Sequence, residues 1–281
     1  MEMNAQPNIM EQPVAAEGNV FRRTNAHKGR RIIVTPANST MQHLCYARTI
    51  LDRQTPTVQF ENGNQETALI CLSGEVKVST AGQEFTVKQY DAAYIPRDSS
   101  IKLTTDSSAD IAEFSSDVNE KYPLQIVRYE DVKKDNTLHF MAGGSSTTRN
   151  LNILIGKNVQ AGRVVAGFTI SEPGHWTSWP PHEHAAMLEE MYVYIQMPQP
   201  GFGLQFVYTN TEEPELATIV REGDAVLMPR GYHPNVAAPG HRIAFLWAMA
   251  AHREKDDRQF GVVNVQPGFN QSGSGLEASR K

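Results

Sequence analysis

Residues 218–236 read TIVREGDAVLMPRGYHPNV, and residues 86–103 read TVKQYDAAYIPRDSSIKL. Both run through an apolar strand, a turn containing Asp, a second apolar strand, then Pro-Arg and another turn. The two copies lie about 130 residues apart, the length of one small barrel each. The chain between and around them is written in the same way. ALICLSGEVKVS, QEFTVKQYDAAYIP and SIKLTT in the first half are short β-branched or aromatic runs broken by Gly, Asp and Pro, as are RVVAGFTISEPG, EEMYVYIQM, FGLQFVYT and HRIAFLWAMAA in the second. Only YEDVKKDN suggests a short helix or turn. This pattern predicts an all-β fold of two tandem antiparallel β-barrels with few short helices. Expected boundaries are a flexible leader over 1–25, an N-terminal barrel over 26–140, a C-terminal barrel over 141–268 and a loose tail over 269–281. The Gly/Ser/Thr-rich MAGGSSTTRN, residues 141–150, reads as the linker between barrels.

The bulk properties exclude several classes. A net charge of −5 with scattered lysines and arginines gives no basic stripe for nucleic acid. No apolar run approaches the ~18 residues of a membrane span, and the first residues lack the charged start and apolar core of a signal peptide. Two cysteines, Cys45 and Cys71, are too few for a disulfide framework and read as buried thiols of a reducing, cytoplasmic setting. MAGGSSTTRN lacks the Lys-Ser/Thr ending of a phosphate loop, and no Gly-x-Ser-x-Gly elbow or paired-cysteine zinc motif occurs.

The copies differ in their chemistry. GHWTSWPPHEHAAMLEEMYVY, residues 174–194, puts His182 and His184 one residue apart before a pair of glutamates. Residues i and i+2 of a strand share a face, about 6.6 Å apart, so two imidazoles can aim into one barrel. His233, in PRGYHPN, supplies a third from a later strand. Isolated histidines are usually core or surface residues; three in order on expected strands, with an acid close by, favour a metal. Three neutral imidazoles and one carboxylate suit a divalent Zn, Mn, Fe or Ni ion with positions left open. The acid is Glu189 or Glu190. Inward Glu190 brings Tyr192 and Tyr194 with it, whereas inward Glu189 brings Met191 and Val193. A site for a polar substrate prefers the tyrosine face, so Glu190 is the expected ligand. The first copy carries Asp98 and Ser99 after its Pro-Arg and no His-x-His, so the N-terminal barrel is expected to hold no metal.

HEH, EEMYVY and GDAVLMPRGYH resemble the two motifs of the cupin superfamily. Within it, GHWTSWPPHEH, GDAVLMPRGYHP, STTRNLNILIG (146–156) and ALICLSGEVKVS resemble the bicupin isomerases of deoxyuronates, over about residues 30–255. That family includes the 5-deoxy-glucuronate isomerases of inositol catabolism and the 4-deoxy-L-threo-5-hexosulose-uronate ketol-isomerases of pectin breakdown. The sequence departs from the inositol-pathway pattern in one place: only AAMLE separates His184 from Glu190, which is nearer the pectin-pathway branch, as is FLWAMAA.

The resemblance implies a bicupin of jelly-roll barrels, usually a homo-oligomer, that converts an aldose to a ketose. The first expectation is 5-deoxy-D-glucuronate to 5-dehydro-2-deoxy-D-gluconate. A cupin dioxygenase and a non-catalytic sugar-acid binding module are the rivals, since fold alone does not fix function. Such an isomerase needs a group to move a proton between C2 and C1; the candidates are Glu189, His175, Tyr192 and Tyr194. It also needs a cation for the small sugar acid's carboxylate, ideally a guanidinium; Arg149 and Arg230 are the candidates. Trp176 could stack on a sugar ring.

Overall fold

The computed structural model describes residues 18–269. The N-terminal half is a nine-stranded arrangement folded into two facing layers. One layer runs Gln125–Val127, Ala92–Ile95, Gln65–Thr80, Ser108–Asp117, Cys45–Asp52 and Gly29–Val34. The strand Gln65–Thr80 is long enough to serve both layers. Its first part pairs with Ala92–Ile95 and Ser108–Asp117, its second with Gln83–Lys88 and Ser100–Thr104. The change of layer falls at a register shift between Cys71 and Ser73 followed by Gly74 at φ +71°. A Cβ at Gly74 would sit 2.0 Å from the Ser108 carbonyl oxygen, so glycine is required where ALICLSGEVKVS bends.

The C-terminal half repeats the plan. Its large sheet orders Val20–Phe21, Ala225–Met228, Leu188–Tyr194, Ala244–Ala251, Val164–Ser171, Arg149–Ile155 and His139–Ala142. A four-stranded sheet faces it, in the order Trp176–Thr177, Asn235–Ala237, Gly203–Val207 and Leu216–Val220. Each half is thus a jelly roll of two opposed sheets. The helix in YEDVKKDN is a single turn, Tyr129–Val132.

The large sheet of the C-terminal half is covered on both faces, which explains why its central strands are buried from end to end. Alternation still sorts the side chains. From Ala244–Ala251, Ala244, Leu246, Ala248 and Ala250 join a core shared with Val34, Tyr46 and Phe114 of the N-terminal half. Phe245, Trp247, Met249 and Ala251 face the other way, into the interior of the C-terminal jelly roll. Burying a side chain the size of Leu246, Val34 or Phe114 stabilises by about 1.5–3 kcal/mol, so the common core binds the halves into one body.

Two sequence expectations need correction. The leader over 1–25 ends early: residues 1–17 lie outside the described residues, but Val20 is buried and Val20–Phe21 pair with Ala225–Met228. Arg22 then bonds Asp224 at 2.7 Å, which fixes the crossing of this segment onto the C-terminal half. MAGGSSTTRN is no inter-barrel linker. Met141–Ala142 and Arg149–Asn150 are paired strand residues, and the glycines between them form a hairpin turn. Gly143, at φ +90°, would place a Cβ 2.0 Å from the Thr147 carbonyl oxygen, so turn chemistry gave the stretch its linker-like composition. The expected tail beyond Phe269 lies outside the described residues.

Candidate metal centre

The centre is built by three segments on the inner face of the C-terminal jelly roll. Glu190 comes from the central strand Leu188–Tyr194, in register between Met228 and Met249. His184 ends the short segment entered through Pro180 and Pro181, and His233 follows the Pro-Arg-Gly turn. Ligand atoms of His184, Glu190 and His233 lie within 4.8 Å of one another, and all three residues are buried. His184 Nε2 is 2.9 Å from Glu190 Oε2, and His233 Nε2 is 3.1 Å from the same oxygen. His182 lines the same pocket but lies outside this tight group, its ring 5.0 Å from that of His233 and 6.4 Å from that of His184.

The hydrogen bonds behind these rings set their tautomers. Nδ1 of His182 faces the Pro180 carbonyl at 2.8 Å, that of His184 the Leu188 carbonyl at 3.1 Å, and that of His233 the Gly231 carbonyl at 2.9 Å. A carbonyl only accepts, so each Nδ1 carries a proton and each ring turns Nε2 toward the pocket, where that of His184 bonds the Glu190 carboxylate. This is the outer support that metal-binding histidines receive. His233 Nε2 is buried and has no hydrogen-bond partner among the described residues; its approach to Glu190 is close but off the direction a hydrogen bond needs. A bare, buried lone pair beside a carboxylate fits a cation.

Electrostatics agree. Burial and the neighbouring His233 push His182 down to about 3, so it is neutral. Burial disfavours charge on Glu190, but the bond from His184 and the closeness of the His233 ring outweigh it and hold the carboxyl near 2. His184 is subject to the same burial, and its bond to Glu190 lifts it above the ordinary value. Glu190 is therefore a carboxylate and His184 shares a proton with it, in the place a divalent cation would take.

Around the cluster the pocket is lined by Arg149, Leu151, Thr169, Ser178, Leu188, Tyr192, Phe245, Trp247 and Met249, and is closed by Phe260–Val263. Arg149 is buried and donates to the carbonyls of Thr147 and Trp179; burial lowers its pKa to about 10, so it stays cationic at neutral pH. Tyr192 shares a 2.7 Å hydrogen bond with Ser178, and burial beside Glu190 raises its phenol well above the ordinary range.

The remaining candidates stand elsewhere. Glu189 points to the opposite face of its strand, where its carboxylate accepts from the backbone N–H groups of Gln42, His43 and Leu44; strand alternation turns it away once Glu190 turns in. His175 lies outside the pocket lining, its Nδ1 taken up by the Thr148 N–H. Tyr194 is buried in the sheet interface, its hydroxyl 2.5 Å from Gln205 Oε1, so it is a core residue. Gln205 in turn donates to the His233 carbonyl at 3.0 Å, which makes this network a support for a ligand. Arg230 is exposed and its charge acts on Glu215. Trp176 stacks on Phe206 at 5.9 Å, in the smaller sheet. The closing segment was missed by sequence reasoning. Asn264–Val265 pairs with His182–Glu183, and the Gln266 N–H bonds the Pro181 carbonyl, so the chain straps the pocket shut beside the ligands. FGVVNVQPGF carries no periodicity that would have announced it.

Facing jelly-roll sheets and a buried His/Glu group that could hold a divalent metal define a two-lobed protein of the cupin class. Residues 20–263 match the sequence model of the KduI/IolB family, and the chain belongs to that family. It is 25% identical over 252 residues to a 5-deoxy-glucuronate isomerase of Geobacillus kaustophilus (strain HTA426), covering 83% of this chain and 85% of that protein. An IolB-like protein from Salmonella typhimurium LT2 has the same fold, with a TM-score of 0.80 at 20% identity over 90% of this chain and 98% of that one. Oxalate decarboxylase of Bacillus subtilis, which has Mn(II) centres, shares the fold at a TM-score of 0.61 and 13% identity, covering 92% of this chain and 82% of that one. Among the described residues no helix is long and apolar enough to cross a membrane.

Proposed function

We propose that this chain is a metal-dependent aldose–ketose isomerase of a deoxyuronic acid, with 5-deoxy-D-glucuronate as substrate. The observation that carries the reading is one pocket lined by His182, His184, Glu190 and a buried guanidinium, Arg149, with His233 Nε2 set against the same carboxylate. His184, Glu190 and His233 hold the cation, and His182 completes the set with its own bare Nε2. When bound, the divalent ion supplies a Lewis acid for a carbonyl and its neighbouring hydroxyl. Arg149 receives the substrate carboxylate, which fixes which end of the sugar reaches the ligands. Tyr192 remains neutral and donates a hydrogen bond to a substrate oxygen, with Ser178 as its partner. Phe245, Trp247, Met249 and Phe260 provide an apolar wall for the deoxygenated carbon and exclude water.

The short AAMLE segment favours a second substrate of the same class, 4-deoxy-L-threo-5-hexosulose uronate. Purified protein is assayed by elemental analysis and then incubated with each sugar acid in D2O, with products followed by NMR. The expected result is one bound divalent ion and conversion of 5-deoxy-glucuronate with deuterium entering at C1 or C2. Turnover without deuterium points to a hydride shift, oxygen consumption to a dioxygenase, and binding without turnover overturns the enzymatic reading.

A further inference from the structure

Two buried carboxylates, Glu66 and Glu189, do matching work on opposite sides of the boundary between the halves. In the C-terminal half Glu190 pairs with Met228, which precedes Pro229-Arg230. In the N-terminal half Thr67 pairs with Ile95, which precedes Pro96-Arg97. The internal repeat therefore sets Thr67 against Glu190 and Glu66 against Glu189. Each of these glutamates is fully buried. Glu189 accepts the N–H groups of Gln42, His43 and Leu44 at 2.7, 2.8 and 2.6 Å, all from the N-terminal half. Glu66 accepts those of Gly162, Arg163 and Val164, each at 2.7 Å, from the C-terminal half. The halves hold each other by the same device, used once in each direction.

Only one of the two clasps sits on a metal ligand. Glu189 lies between Leu188, whose carbonyl receives His184 Nδ1, and Glu190 itself. Three charge-assisted bonds on one carboxylate fix the height and rotation of this strand against a second body. Alternation then commits Glu190 to the pocket face. Beyond Glu66, the corresponding residue is Thr67, which is bonded to Asn62. We propose that Glu189 is a positioning residue: the N-terminal half, through the loop 42–44, sets the metal-binding geometry of Glu190 and His184 by clasping Glu189. The inference rests on the metal-centre reading above and assigns the N-terminal half a part in it.

The test compares Glu189→Gln with Glu66→Gln in the full chain. The amide keeps the shape and loses the charge in both. Metal-free protein is titrated with Co2+, recording affinity by calorimetry and the ligand-field absorption of the bound ion, with Tm measured alongside. Both variants are expected to melt earlier than the parent. Only Glu189→Gln is expected to weaken Co2+ binding, by about 10–100-fold, the range for residues that support ligands, and to shift the absorption bands. Glu66→Gln is expected to leave affinity and spectrum unchanged. Glu189→Asp, which keeps the charge on a shorter arm, serves if the amide variant does not fold and is expected to fall between. Equal weakening by both variants, or an unchanged spectrum in Glu189→Gln or Glu189→Asp, overturns positioning and leaves two structural clasps. A parent protein that takes up no Co2+ overturns the metal reading itself, and this inference with it.

Discussion

Adjacent glutamates with opposite fates illustrate what a strand does to chemistry. Glu189 and Glu190 are both buried acids, yet one faces three backbone N–H groups and the other two imidazoles. The pairing in the second case has a definite pH signature. In the metal-free protein, Glu190 is held near 2 in the fold against an ordinary value of 4.5. Its stabilising contribution is therefore present above 4.5 and is lost as pH falls toward 2. His184 is raised above 6.5, so its contribution is present below 6.5 and is lost as pH rises through the folded value. Burial holds His182 near 3 in the fold against 6.5, so its contribution is present above 6.5 and is lost as pH falls toward 3. Metal-free Tm is thus expected to be highest near pH 6.5 and to decline on either side. A bound cation takes over the role of the His184 proton, so calorimetry with Mn2+ should abolish the decline on the alkaline side, while metal affinity rises with pH. Arg149 provides a second prediction. Losing a hydrogen bond to a charged group costs about 1.5–3 kcal/mol. Arg149→Met is therefore expected to raise KM for the sugar acid roughly 10–100-fold and to leave the metal content unchanged; loss of metal instead would make Arg149 part of the scaffold.

Among the elements, the strap over 260–269 deserves a test of its own, because it pairs directly with the His182–Glu183 segment. Phe260 stacks on Trp247 at 4.9 Å and forms part of the pocket wall. Phe260→Ala is expected to raise KM several-fold and to destabilise by about 1–3 kcal/mol, less than a fully buried phenylalanine would cost, with metal stoichiometry unaltered. Steady-state kinetics and denaturant unfolding measure both. The strands that make the site were legible in the sequence. The alternation in EEMYVY and FLWAMAA is what the structure uses to send Tyr192, Phe245 and Trp247 inward. The strap was not legible, since a segment held by backbone pairing and a few apolar contacts leaves no period to detect. Nor could MAGGSSTTRN be told from a linker, because a hairpin turn and a flexible joint draw on the same residues. Arg230 misled for a related reason: its closeness to His233 in sequence says nothing of direction, and it projects to solvent while Arg149, from a distant strand, enters the pocket.

At the scale of the molecule the repeat suggested two tandem barrels, and the structure gives the two halves a common core. Val34, Tyr46 and Phe114 pack in the same cluster as Phe168, Met191 and Leu246. Thermal unfolding is therefore expected as a single transition, with equal calorimetric and van't Hoff enthalpies. A fragment starting at residue 139 should not fold, since it leaves one face of its main sheet uncovered. Two separated transitions would show the halves to be autonomous.

The short strand Val20–Phe21 adds a temporal consequence. It completes a sheet whose partner, Ala225–Met228, lies about 200 residues further along the chain. During translation, Val20 and Phe21 emerge from the ribosome with nothing to join, and their ladder closes only after Ala225–Met228 has been synthesised. This pairing is a high-contact-order step that slows assembly and leaves that apolar segment open to chaperones in the interval.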